Sequence, residues 1–261
     1  MSQTLKGKTI LVARERERAD EMTKLLEAEG GRALVQPPIQ TLPVEDPSEL
    51  DDALTAALDR EFDWAIFSSV NGVKFALDRL EETKKIDARE LSTRVAIAAV
   101  GATTRDYLRE RGLTVDIVPQ KFDADGLVDA LFEGIGKTIA SQKFLSLRAS
   151  RGRKTLSERL TSLGATVRET IAYRSVDVEA AEPGIVEAAR EGRIDAGIVA
   201  SSASASAVLR LLGESAKGIP WFAISELTAT ALRKEGARVG GVAREATARA
   251  LFESVLETFS K

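Results

Sequence analysis

The chain has 261 residues, 44% hydrophobic and 30% charged, with a formal net charge of −3. That is enough apolar side chain to fill one large domain or two small ones, and no basic block stands out of the kind that phosphate backbones select, so no nucleic-acid partner is expected. There is no cysteine and no histidine, which removes thiolate catalysis, Ser-His-Asp triads and nearly every zinc site and leaves acid–base chemistry to Asp, Glu, Lys, Tyr, water or the substrate.

Met1 to Lys8 carry no signal-peptide stretch and lead into a strand at Thr9–Arg14. No apolar run reaches membrane-spanning length, so a cytoplasmic chain away from membranes is expected. A helical stretch with Met22, Leu25 and Leu26 on one face stops at Gly30, and a β-type run follows at Ala33-Leu34-Val35. Gln36 to Pro43 holds three prolines, which lack the donors that interior sheet needs, so it reads as an extended connector. Short buried-type strands follow at Ala65–Phe67 and Val95–Val100, then a helix carrying Tyr107 and Leu108, Gly112, and a run at Leu113-Thr114-Val115. Lys143–Arg148, Gly164 with Ala165-Thr166-Val167, Asp195–Ser201, Ile224–Leu232, and Gly236 with Ala237-Arg238-Val239 repeat the rhythm. Gly30, Gly112, Gly164 and Gly236 stand where a left-handed residue ends a helix. Strand–helix–strand alternation predicts an α/β protein with doubly wound parallel sheets.

The rhythm is an internal duplication. Arg14 and Gly30 recur as Arg148 and Gly164, each 134 positions on. Asp63-Trp64-Ala65-Ile66-Phe67-Ser68-Ser69 matches Asp195-Ala196-Gly197-Ile198-Val199-Ala200-Ser201 at an offset of 132, and Val100 through Gly112 matches Ile224 through Gly236 at 124. The connector Gln36–Pro43 is matched by the extended segment Thr170–Val176, and such a pair looks like a two-stranded link between lobes. Loops from the two halves are expected to face each other across one ligand cleft.

Ligands of open parallel sheets bind beyond the carboxyl ends of the strands. The residues there are Arg14; Ser68, Ser69 and Asn71; Gly101, Thr103 and Thr104; Arg148 to Arg153; Ser201 and Ser202; and Ser225 and Thr228. They are small and hydroxyl-rich and open helices. Free N–H groups and the helix dipole there favour anions by about 0.3–1 kcal/mol per terminus. Simple N-capping explains each loop equally well taken singly, and the repetition across both halves favours binding. Arg14 and Arg148 fit either a fork onto a carboxylate or a surface ion pair. No nucleotide-binding glycine pattern is present, and no paired acidic motif marks a magnesium site, so no metal is expected. Tyr173 stands where the repeat has Ile39. It reads either as a half-buried strand aromatic or as a donor, protonated at neutral pH with an ordinary pKa of about 10.

Ile66-Phe67-Ser68-Ser69-Val70-Asn71-Gly72-Val73, Ala99-Val100-Gly101-Ala102-Thr103-Thr104, Gly164-Ala165 through Ala172-Tyr173-Arg174, and Ala223-Ile224 through Leu232 together resemble the uroporphyrinogen-III synthase family, over nearly the whole chain. The resemblance implies two α/β lobes joined by a two-stranded β connector, one discontinuous (residues 1–36 and 175–261) and one continuous (37–174). It implies a monomeric lyase without cofactor that cyclises the linear tetrapyrrole hydroxymethylbilane and inverts its ring D through an azafulvene and a spiro intermediate. Its tyrosine, assigned to help the hydroxyl depart, falls on Tyr173, and its binding hydroxyls fall on Ser68, Ser69, Thr104, Ser201 and Thr228. The sequence departs from the family pattern at Ala200, where a threonine is common, and at Ser225-Glu226, where a glycine usually begins the last loop. A non-enzymatic two-lobed binding or regulatory protein for a polyanionic metabolite is the alternative, distinguished by binding without turnover.

Overall fold

The computed structural model of the chain describes residues 3–152 and 154–260. Met1, Ser2 and Arg153 of the loops read above therefore lie outside the described residues. The elements in chain order are β1 (Thr9–Ala13), α1 (Arg16–Ala28), β2 (Arg32–Val35), β3 (Ile39–Leu42), α2 (Ser48–Leu58), β4 (Trp64–Phe67), α3 (Val70–Lys84), α4 (Leu91–Arg94), β5 (Ala96–Ala99), α5 (Ala102–Glu110) and α6 (Ala124–Ile135). They continue as β6 (Lys143–Ala149), α7 (Thr155–Ser162), β7 (Thr166–Asp177), α8 (Pro183–Arg190), β8 (Ala196–Val199), α9 (Ser202–Leu212), β9 (Trp221–Ala223), α10 (Glu226–Lys234), β10 (Val239–Val242) and α11 (Ala248–Phe259).

Contacts divide the chain into two compact units, one running up to Gln40 and resuming at Val176, the other Thr41–Ser175. The first unit carries a wholly parallel sheet of order β10-β9-β8-β1-β2. The second sheet has the order β3-β7-β6-β4-β5, with β7, β6, β4 and β5 parallel. Through the repeat, β6 and β7 correspond to β1 and β2, and β4 and β5 to β8 and β9. Equivalent strands thus take equivalent places, but each sheet is assembled from both copies of the duplication. Each sheet turns back between its two central strands, β1 and β8 in one and β6 and β4 in the other, which is where such sheets bind ligands.

Alternating side chains bury both faces of each sheet. In the discontinuous unit Leu11, Ala13, Val199 and Trp221 pack under α8, α9 and α10. Ile10, Val12, Ala196, Ile198 and Phe222 pack under α1 and α11. The other unit repeats the division: Ala65, Phe67, Leu145 and Leu147 face α2, α3 and α5, and Trp64, Ile66, Ala98 and Phe144 face α6 and α7. Among the described residues, no helix is long and apolar enough to cross a membrane.

The polar positions of the repeat do equal work. Asp195 exchanges bonds with Thr9, its Oδ2 accepting from Thr9 N at 2.8 Å and its own N–H donating to Thr9 O at 2.8 Å. Asp63 does the same for Lys143, at 2.8 and 2.9 Å. Each thereby closes the N-terminal end of a ladder. Gly30, Gly112, Gly164 and Gly236 have φ of 78°, 82°, 91° and 78°. Each donates to the carbonyl three residues back while its successor donates to the carbonyl five back, as in Gly30 to Glu27 and Gly31 to Leu26. This Schellman closure satisfies carbonyls that the helix end leaves open.

One predicted strand is absent. Leu113-Thr114-Val115 is not sheet, and the chain meets β5 only through an Ala98–Ile117 bridge. Asp116 replaces the ladder there: its Oδ2 accepts from Ile97 N at 2.8 Å and its N–H donates to Ile97 O at 2.9 Å. A carboxylate beside the edge of β5 takes the donor a neighbouring strand would have used. In the other unit the equivalent position is a full strand, β10.

Gly197 in β8 shows how tightly the discontinuous unit is filled. A Cβ there would lie 2.4 Å from the indole of Trp221, a fully buried ring whose Nε1 donates to Ala216 O at 2.9 Å. Gly197→Ala should lower stability by about 1–3 kcal/mol, whereas Gly184→Ala, in open space on α8, should be neutral or stabilising by up to about 1 kcal/mol. Urea midpoints at unchanged slope check both.

Candidate active site

Four helices start in the same way directly after a strand. Ser69, Gly101, Ser201 and Ser225 are the N-caps of α3, α5, α9 and α10, with extended backbone at φ −159°, −151°, −163° and −158°. Ser69 Oγ accepts from Gly72 N at 3.1 Å, Ser201 Oγ from Ser204 N at 3.0 Å and Ser225 Oγ from Thr228 N at 3.3 Å. The serines thus cap their helices, each satisfying one of the free N–H groups. The remaining first-turn amides and the dipole still give each end a positive character suited to carboxylates.

The other hydroxyls gather around these caps. In the discontinuous unit Ser201 Oγ donates to Ser204 Oγ at 2.9 Å, Ser202 Oγ donates to Leu227 O at 3.2 Å, and Ser225 Oγ lies 3.2 Å from Oγ1 of the buried Thr228. The bond from Ser202 ties the start of α9 to the start of α10. In the continuous unit Ser68 is exposed, with Oγ 3.5 Å from Leu147 O. Asn71 is half-buried, Thr103 exposed and Thr104 buried, all in first turns. Gly101 lacks a side-chain cap bond of its own.

Tyr173 reaches this edge by an irregularity in β7. Register with β6 runs Lys143–Thr166 to Arg148–Ile171 and then jumps to Ala149–Tyr173, leaving Ala172 as an extra residue. Strict alternation would put Tyr173 on the same face as Val167, which packs against the α6–α7 side. The bulge turns it over, and Ala172 and Tyr173 both enter the core under α2 and α3. There the ring stacks on Phe75, with centroids 5.5 Å apart and planes at 14°. Tyr173 is 7% exposed, and its hydroxyl lies 3.1 Å from Ser69 Oγ.

The two repeat-related arginines have different surroundings. Arg14, after β1, is half-buried; its backbone N–H donates to Val12 O at 3.1 Å, and its guanidinium makes no hydrogen bond or ion pair among the described residues. Burial pulls its pKa below the usual guanidinium value and Arg18 adds to this, against Glu21 and Glu15. A guanidinium remains charged under these conditions, so Arg14 is a partly desolvated cation that Glu15 and Glu21 influence without forming an ion pair among the described residues. Arg148 is occupied instead: it pairs with Glu169 at 3.1 Å and donates to two main-chain carbonyls.

Two large apolar residues stand exposed at these edges; Phe122 escaped the sequence reading, and Leu227 lies inside the loop from Ser225 to Thr228. Phe122 is 60% exposed, and a Cβ on Gly101 would lie 3.7 Å from its Cβ. It precedes Asp123, the cap of α6, with the buried Leu127 four residues into the helix. That spacing signals a hydrophobic staple, yet the ring stands open. Leu227 is 66% exposed in the first turn of α10.

A family model for uroporphyrinogen-III synthase HemD matches residues 20–253. The chain belongs to the uroporphyrinogen-III synthase family. It is 31% identical over 214 residues to a putative uroporphyrinogen-III synthase of Methanothermobacter thermautotrophicus, covering 79% of this chain and 78% of that one. It is 33% identical over 174 residues to the uroporphyrinogen-III synthase of Synechococcus elongatus, covering 66% and 62%. Crystal structures of a mutant uroporphyrinogen III synthase from Thermus thermophilus (16% identity, 97% and 99% covered) and of the Helicobacter pylori uroporphyrinogen-III synthetase (18%, 96% and 99%) each share the fold at a TM-score of 0.63. The synthase fold therefore extends over essentially the whole chain.

The Ser69–Tyr173 contact predicts an order of stabilities. Tyr173→Phe loses one hydrogen bond, about 0.5–1.5 kcal/mol, while Ser69 keeps its bond from Gly72. Ser69→Ala removes a cap worth about 0.5–2 kcal/mol and also leaves the buried phenol without its partner. Ser69→Ala should therefore be the more damaging in urea unfolding, and the double variant should cost less than the sum.

Proposed function

We infer that this chain closes hydroxymethylbilane to uroporphyrinogen III, inverting ring D, as a step of tetrapyrrole biosynthesis. Family membership across residues 20–253 carries the reading, and the site chemistry suits it. Net reaction is loss of water: the C–O bond of the terminal hydroxymethyl group breaks, an azafulvene forms, and a pyrrole carbon attacks it. Departure of hydroxide needs a proton, and a chain without histidine or cysteine has few groups to offer one.

Tyr173 fits that role through the direction of its hydrogen bonds. Ser69 Oγ accepts from Gly72 N, so its own proton is available to Tyr173 O. The phenol proton is then directed outward, to the departing hydroxyl. Donation polarises the Ser69–Tyr173 chain, which strengthens as the phenol oxygen gains negative charge. The proton returns to Tyr173 when ring closure restores the last pyrrole.

The substrate's carboxylates match the cap amides and hydroxyls that each unit presents: Ser68, Asn71, Gly101, Thr103 and Thr104 in one, Ser201, Ser202, Ser225 and Thr228 in the other. Arg14, whose guanidinium makes no ion pair among the described residues, supplies a cation for one of them. Phe122 and Leu227 offer apolar surface to pyrrole rings beside those anion-binding ends. This reading takes the protein as a cytoplasmic monomer, which sedimentation and fractionation test.

Purified protein should convert hydroxymethylbilane to the type III isomer with no additive, and type I product alone at the uncatalysed rate would sink the assignment. Tyr173→Phe should lower kcat by about 10²-fold, the lower range of general acid catalysis, with KM changed little. Arg14→Met should instead raise KM at nearly constant kcat.

A further inference from the structure

We propose that Arg148 is a positioning residue for Tyr173, acting through the turn that follows β6; the proposal rests on the synthase reading above. The sequence offers the Arg148 guanidinium to a substrate carboxylate, but the structure spends it inside the continuous unit. Its side chain is 13% exposed and that of Glu169 21%. Nη1 donates to Ala149 O at 3.0 Å and to Gly152 O at 3.1 Å, while Nη2 faces Glu169 Oε2 at 3.1 Å. Gly152 N–H donates back to Ala149 O at 2.9 Å. One nitrogen of the guanidinium therefore holds both ends of the Ala149–Gly152 turn.

That turn is fastened to Tyr173. Ser150 N–H donates to Tyr173 O at 3.0 Å, and Ser150 Oγ accepts from Ser175 N–H at 3.1 Å. The first bond holds the tyrosine's own carbonyl and the second the amide two residues on. They follow directly on the β6–β7 register jump, which leaves Ala172 unpaired and sets Tyr173 opposite Ala149 at the last step of the ladder. Glu169 orients Arg148, Arg148 shapes the turn, and Ser150 sets the tyrosine backbone from which the ring reaches Ser69.

The ion pair is poorly built for stability alone. Arg148 Nε and Glu169 Oε1 are buried without a hydrogen-bond partner among the described residues. A buried pair that leaves donors and acceptors unused gains little over apolar side chains of the same size. An apolar replacement would not hold two carbonyls of an irregular turn.

The test assays full-length Arg148→Met, Arg148→Lys, Glu169→Gln and Arg148→Met with Tyr173→Phe beside the wild type, measuring formation of the type III isomer. Arg148→Met should lower kcat about 10-fold or more with KM within about twofold, the pattern of a lost transition-state contact. Arg148→Lys should recover part of kcat, because an ammonium still reaches one carbonyl. Tyr173→Phe should cost little more on the Arg148→Met background, since the two act as one unit. A raised KM at unchanged kcat makes Arg148 a substrate ligand and overturns the proposal, as do fully multiplicative losses. Should Arg148→Met fail to fold, Glu169→Gln decides: a smaller loss confined to kcat supports the proposal and wild-type kinetics overturn it. A wild type that makes no type III isomer counts against the synthase reading itself, whereas an active wild type with an equally active Arg148→Met removes this inference alone.

Discussion

One extra residue in β7 decides what the continuous unit can do. Strand alternation is a parity rule, and a single inserted residue reverses every side chain beyond it. Ala172 is that residue. Up to it, β7 shows Val167 to the α6–α7 side; beyond it, Tyr173 lies in the core beneath α2 and α3, stacked on Phe75 and against the cap of α3. The bulge leaves Ala172 unpaired just before the tyrosine, which pairs with Ala149 at the last step of the ladder. The bonds from Ser150 and the arginine-held turn add restraint where that ladder ends.

The duplication supplies everything around that point. Parallel sheets put all strand ends, and therefore all helix starts, on one edge. Two copies of one strand–helix set give two such edges, one with the caps Ser69 and Gly101, the other with Ser201 and Ser225. The copies are exchanged, so β1 and β2 join β8 to β10, while β4 and β5 join β6 and β7. The exchange needs two crossings of the chain between units, which is why a proline-rich extended segment and a 12-residue strand occur at matching points of the repeat.

Most of this scaffold is legible in the sequence because local physics sets it. Short continuous apolar runs mark the strands, and the four Schellman glycines and the three serine caps follow from backbone requirements that few residues meet. What stayed hidden depends on distant partners. Leu113-Thr114-Val115 has strand-like composition, but the carboxylate of Asp116 meets the edge of β5 first. Arg14 and Arg148 are indistinguishable by position, and only the fold reveals that Glu169 and two carbonyls claim one of them. Phe122 has the spacing of a staple and leaves it open. The bulge has no local signature at all, since Ile171-Ala172-Tyr173 reads as uninterrupted strand.

The asymmetry of the site comes down to a side chain that one copy lacks. Ser69 and Ser201 are equivalent caps, and 132 positions separate Gly72 from Ser204 as well. In the discontinuous unit the hydroxyl of Ser204 takes the proton of Ser201 at 2.9 Å, so that cap is closed within its own helix turn. In the continuous unit Gly72 offers only its amide. A Cβ there would already come within 3.3 Å of Ser69 Oγ and 4.0 Å of the Tyr173 ring. The missing side chain both clears the space for the aromatic ring and leaves the cap hydroxyl without a local acceptor, and Tyr173 fills that place. A helix cap, by nature a stabilising device, thereby becomes the partner of a buried phenol. The same scaffold closes one cap within its own turn and ties the other to a tyrosine because a glycine in one copy stands where the other has a serine.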